Sequence, residues 1–126
     1  MYRQVKLDLK KPKIMNVLFI ESDDLILGLY MEWIRLSKLK ANVMVAKKIT
    51  EAQLLLAEFE FDRIFVAGRV SNEETDDLIT EMRKMLPVTD IVGTSAPRWY
   101  GQKIAGCNLV FPKGRQTMER FVELMS

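Results

Sequence analysis

Phe61-Asp62-Arg63-Ile64-Phe65-Val66-Ala67-Gly68 decides the fold. Ile64 to Ala67 is a short apolar run with charged residues before it and glycine after it. A strand buried on both faces in the middle of a parallel sheet reads this way. In an α/β sheet, ligands and chemistry collect beyond the carboxyl ends of such strands. The residue at that end is Ala67, which carries no functional group.

Working outward, the same pattern repeats. Residues 14–20 form a second buried run. The polar turn Glu21-Ser22-Asp23-Asp24 follows, in which Ser22 or Asp23 is placed to cap a helix over 25–39. Leu25, Leu29, Trp33 and Leu36, flanked by Ile26, Tyr30 and Ile34, make its wide apolar stripe. Residues 42–46 read as a strand, and Thr50-Glu51-Ala52-Gln53 as a capping box that starts a helix to about Phe59. After the opening strand, Ser71-Asn72-Glu73-Glu74 has the form of another capping box, with a helix to about Leu86 stopped by Pro87. Strands are expected over 90–94 and 108–111, and helices over 96–104 and 116–125. Strands alternating with helices predict one α/β domain: a five-stranded parallel sheet with helices on both faces, the flavodoxin-like (βα)5 arrangement.

Bulk properties narrow the function. The chain has 126 residues, 48% of them hydrophobic and 29% charged, enough for one well-filled core. It has no histidine, which removes the commonest general base and metal ligand. The single cysteine, Cys107, cannot form an internal disulfide, which fits a reducing cytoplasm. No apolar run is long enough to span a bilayer, and no secretory signal is visible, so no membrane role is expected. Residues 1–13 stand apart. Arg3, Lys6, Lys10, Lys11 and Lys13 against Asp8 alone give this leader +4 in a chain of net +2. It reads as a solvated leader, as a basic arm for nucleic acid or an acidic partner, or, since Val5, Leu7 and Leu9 alternate with charged residues, as a short edge strand. The domain proper is expected over 14–126.

In order and spacing, residues 14–126 resemble the receiver domain of bacterial two-component response regulators. Glu21-Ser22-Asp23-Asp24 is similar to the family's acidic turn, which holds magnesium. Ala67 falls where the family has its phosphoacceptor aspartate. Thr94-Ser95-Ala96 resembles the hydroxyl-then-alanine step, with Ser95 as the hydroxyl. Gly106 to Lys113 resembles the last strand, with Lys113 as the phosphoryl-contacting lysine. The departures are equally specific. Ala67 cannot accept a phosphoryl group, Val110 occupies a usually aromatic position, and Pro112 precedes Lys113 where the family's proline follows the lysine. Asp62 lies five residues away, roughly 16 Å along an extended strand, too far to substitute.

The resemblance therefore implies a pseudo-receiver: a non-enzymatic, phosphorylation-independent regulatory module. Its degenerate pocket would comprise Asp23, Asp24, Ala67, Arg69, Ser95 and Lys113. No cofactor is expected, and without a third carboxylate at most a weak magnesium site remains at Asp23 and Asp24. Two close carboxylates need a cation or a proton. Arg69 and Lys113 are the candidates to pair with them and lock the site, the alternative being that Ser22 and Asp23 merely cap the helix. What remains for such a domain is binding. The resemblance implies a partner or homodimer face bearing Arg98, Trp99, Tyr100, Lys103 and Arg115, residue types common at interface hot spots. Trp99 and Tyr100 point about 100° apart on a helix, so one of them belonging to the core is the competing reading. A nucleic-acid-associated regulator using the leader and the basic helix face is the second function class.

Overall fold

The computed structural model describes residues 14–95, 107, 109–112 and 118–125. The leader and the helix expected over 96–104 lie outside them. Along the chain run β1 (Met15–Ile20), α1 (Asp24–Leu36), β2 (Ala41–Ala46), α2 (Ile49–Glu58), β3 (Arg63–Ala67), β4 (Arg69–Val70), β5 (Glu73–Glu74), α3 (Asp76–Met85), β6 (Asp90–Ser95), β7 (Leu109–Pro112) and α4 (Met118–Met125). Five strands form one parallel sheet in the order β2-β1-β3-β6-β7. β4 and β5 pair antiparallel as a separate hairpin.

The opening stretch is the central strand. Ile64, Phe65, Val66 and Ala67 are buried, as the apolar run requires. Side chains alternate between the two faces. Leu18, Ile20, Ile64, Val66 and Ile91 pack with Ala52 of α2 and Leu78, Ile79 and Met82 of α3. Val17, Phe19, Phe65 and Val92 pack with Leu27 and Tyr30 of α1 and Phe121 and Met125 of α4. The second face is an aromatic cluster, with Phe19–Tyr30 ring centroids 5.1 Å apart, Phe19–Phe65 5.2 Å and Tyr30–Phe121 5.0 Å. Each such pair contributes about 1 kcal/mol beyond its area burial. Truncating Phe65 to alanine should cost about 3–5 kcal/mol.

Several local expectations change. The α1 stripe is rotated: Leu27 and Tyr30 are its buried residues, while Leu25 is 85% exposed and Leu36 also faces outward. The helix is apolar on more than one side, so periodicity did not fix its phase. α1 also stops at Leu36. Lys38 takes φ 56°, and the N–H groups of Lys38 and Leu39 donate to the carbonyls of Arg35 (3.3 Å) and Ile34 (3.2 Å), which is a Schellman ending without its usual glycine. α2 begins at Ile49 with Lys48 at its N-cap, and Glu51 accepts from the Lys47 N–H at 2.8 Å, so Thr50 lies inside the helix.

The largest change is at Ser71-Asn72-Glu73-Glu74. These residues do not start a helix. Ser71 and Asn72 have φ of 49° and 67° and form the turn of the β4–β5 hairpin. Two consecutive positive φ values define the two-residue turn whose twist matches a hairpin. Helix α3 begins after Thr75 instead.

Candidate functional site

The order β2-β1-β3 fixes where a site can form. The chain leaves β1 toward β2 and returns to place β3 on the other side of β1. Connections after β1 and β3 thus diverge, opening a crevice beyond their carboxyl ends. The residues there are Glu21-Ser22-Asp23-Asp24, Ala67-Gly68 and Thr94-Ser95.

Strand register aligns three of them. Phe19 pairs with Phe65, and Phe65 with Val92. Two residues further on, Ala67 pairs with Thr94, and Glu21 continues β1 one step past the Ile20–Val66 pair. With a two-residue side-chain period, Glu21, Ala67 and Thr94 share one row across the carboxyl edge of the sheet. All three are buried: Glu21 is 2% exposed, and Ala67 and Thr94 are 1%. Glu21 Oε2 accepts from the Asp23 N–H at 3.0 Å.

The two aspartates are otherwise engaged. Asp23 is the N-cap of α1: its Oδ1 accepts from the N–H groups of Leu25 (2.9 Å) and Ile26 (3.4 Å). Such a cap stabilises a helix by about 1 kcal/mol. Asp24 Oδ1 receives Lys47 Nζ at 2.6 Å. Arg69 does not pair with either aspartate as expected. Its Nε lies 3.3 Å from Glu74 Oε1, across the hairpin it belongs to. The turn at Ser71 and Asn72 brings Glu74 opposite Arg69. Ser95 ends β6, its backbone paired with Pro112. Lys113, Arg98, Trp99, Tyr100, Lys103 and Arg115 lie outside the described residues.

The sequence reading missed the elements that close the crevice. Thr75 is fully buried, and its hydroxyl donates to the Ala67 carbonyl at 2.6 Å. The Thr75 N–H donates to the Gly68 carbonyl at 3.2 Å. The hairpin between them is tied to both neighbouring loops. The Ser71 N–H donates to Ser22 Oγ at 3.0 Å, and Ser71 Oγ donates to the Lys47 carbonyl at 2.7 Å. Val70, completely buried, anchors it in the core. The loops after β1, β2 and β3 are thereby joined through Ser22, Lys47 and Ser71. No local pattern hinted at this, since each bond spans 24 or 49 residues of sequence.

Asp23 and Asp24 do not offer magnesium a pair of uncommitted carboxylates. The ion favours octahedral oxygen coordination with one or two available carboxylates. One Asp23 oxygen is shared by two amides, Asp24 faces an ammonium, and a methyl group stands at 67. Among the described residues no three acidic, cysteine or histidine side chains gather to hold a metal. Nor does the row offer a carboxylate on the central strand to act as nucleophile.

Comparison with known proteins rests on structure. No protein-family model and no curated protein matches the sequence. Among solved structures, the non-phosphorylated HemR receiver domain from Leptospira biflexa is 22% identical with a TM-score of 0.68, covering 88% of this chain and 90% of its own. A signal receiver domain of an HD domain-containing protein from Pseudomonas fluorescens is 16% identical with a TM-score of 0.74, covering 90% and 92%. A CheY-like receiver domain from Methanospirillum hungatei is 12% identical with a TM-score of 0.72, covering 90% and 91%. The chain has the fold of response regulator receiver domains.

Proposed function

We propose that this chain is a receiver-fold regulatory module that works by protein–protein contact and accepts no phosphoryl group. One observation carries the reading: Ala67, at the carboxyl end of the central strand, presents a buried methyl group level with Glu21 and Thr94. Phosphoryl transfer to a receiver needs a carboxylate there and a cation to offset the charge of both reactants. The first is absent from the sequence, and the aspartates that would supply the second are committed to a helix cap and an ion pair. The bonds of Ser71 to Ser22 and to Lys47 favour one arrangement of the crevice loops, independent of a phosphate.

Incubation with a small-molecule phosphodonor and magnesium tests the first half. Intact-mass analysis should show no phosphate adduct, and an aspartyl or glutamyl phosphate would overturn the reading. Binding is tested by affinity capture from the native host with Trp99→Ala and Tyr100→Ala variants beside the parent. Loss of a specific protein partner or of self-association in either variant supports a contact face at those residues. Unchanged association in both removes it.

A further inference from the structure

The opposite end of the sheet carries a second feature. A cleft of about 750 Å³ lies at the amino ends of the strands, lined in part by Glu58, Glu60 and Asp62 with Leu56, Phe59 and Phe61. Phe59 is 44% exposed, a large ring turned to solvent at the end of α2. Asn16 lines the same cleft, and its N–H donates to Asp62 Oδ2 at 2.8 Å. We propose that this cleft is the docking site of the chain's own basic leader, residues 1–13.

Position, charge and apolar pattern converge on that occupant. The leader joins the domain at Ile14, two residues before Asn16, so Lys13 lies within roughly 10 Å of the cleft along the chain. Six extended residues reach about 20 Å further. Glu58, Glu60 and Asp62 put three carboxylates on a cleft beside a segment of net +4. Lys10, Lys11 and Lys13 are nearest the junction. Val5, Leu7 and Leu9 alternate with Lys6, Asp8 and Lys10, so an extended leader has one apolar and one charged side. The apolar side suits Leu56, Phe59 and Phe61, and the lysines suit the carboxylates. A nucleic-acid partner would find three carboxylates beside the leader, an arrangement that repels phosphate.

A nitroxide on Gln4→Cys, in a Cys107→Ser background whose amide spectrum matches the parent, tests the proposal in the full chain. At low salt, paramagnetic broadening should concentrate on the amides of residues 56–62. Glu58→Gln with Glu60→Gln, both exposed positions, should lower the docking equilibrium constant roughly two- to thirtyfold, as expected for losing two surface charge pairs. Raising ionic strength from about 0.01 to about 1 M, which cuts the Debye length from about 30 to about 3 Å, should do the same. Lys10→Glu with Lys11→Glu should abolish the broadening, and Glu58→Lys with Glu60→Lys in that background should restore it. Broadening spread evenly over the domain, or unaffected by Glu58→Gln with Glu60→Gln, overturns the proposal. So does broadening that a labelled chain induces in an unlabelled isotopic one, since the occupant would then be a second copy.

Discussion

Putting a carboxylate at position 67 is the sharpest probe of the crevice. Adjacent strands lie about 4.8 Å apart, so an introduced aspartate would sit about 5 Å from the Glu21 row position. At an effective dielectric of about 20, two carboxylates at that distance repel by about 3 kcal/mol. A hydrogen bond from Thr94 is stronger to a carboxylate than to an amide, which would offset about 1 kcal/mol of this. Ala67→Asp should therefore be about 2 kcal/mol less stable than Ala67→Asn, which carries the same bulk without charge. The sign follows from linkage. Repulsion raises the introduced group's folded pKa above its unfolded value of about 3.9, by roughly 1.5 for 2 kcal/mol. The penalty is absent below about pH 4 and complete above about pH 5.5. Urea unfolding at pH 4 and pH 7.5 measures it. With a slope of about 2 kcal/mol per molar, the two midpoints should differ by about 1 M at pH 7.5 and converge at pH 4. Coincident midpoints at pH 7.5 would refute the reasoning. They would place a compensating cation against the row, and Lys113 would be the residue to remove next.

Three further outcomes are expected. Thr75→Val keeps the shape of a fully buried side chain but removes the 2.6 Å bond to the Ala67 carbonyl, and should cost about 1–3 kcal/mol in urea unfolding, with Thr75→Ser recovering part of the loss. Gly28→Ala should stabilise by about 1 kcal/mol, because Gly28 sits mid-helix in α1 and an added Cβ meets nothing within 4 Å; a lower melting temperature would show that the position is not free. Burial pushes the Cys107 thiol up from 9.0 to about 11, so alkylation should be slow at pH 8 in the native protein and fast once it is unfolded. The linked stability is present below about pH 9 and is lost as pH rises through about 11, which unfolding at pH 8 and pH 11 should register, the difference shrinking in Cys107→Ser.

The parallel sheet was legible because its strands carry short apolar runs between polar turns, of which Ile64 to Ala67 is the central one. Phase and register were harder. α1 is apolar around much of its circumference, so Leu27 and Tyr30 were not distinguishable from Leu25 and Leu36 until the sheet was placed beneath them. Ser71-Asn72-Glu73-Glu74 satisfies the letters of a capping box. The same letters suit a hairpin when Val70 is buried before them and Asn72 accepts a positive φ. Glu21 was read as one acid of several, because only the pairing of Ile20 with Val66 shows that it, rather than Asp23, stands level with Ala67. The Lys47–Asp24 pair joins the loop after β2 to the first turn of α1, 23 residues apart, and no local pattern encodes that choice over Arg69.

The aromatic cluster also bears on how the domain is made. Phe121 stacks on Tyr30 and lies 5.3 Å from Trp33 and 5.6 Å from Phe65, so the last helix seals the face begun by the first. During synthesis, β1, α1 and β3 emerge with Phe19, Tyr30 and Phe65 unsealed, and they stay so until residue 125 clears the ribosome. Contacts of such long sequence separation slow folding. The nascent chain must carry an open aromatic surface from the synthesis of Tyr30 until Phe121 follows, the interval in which a chaperone would have the most to hold.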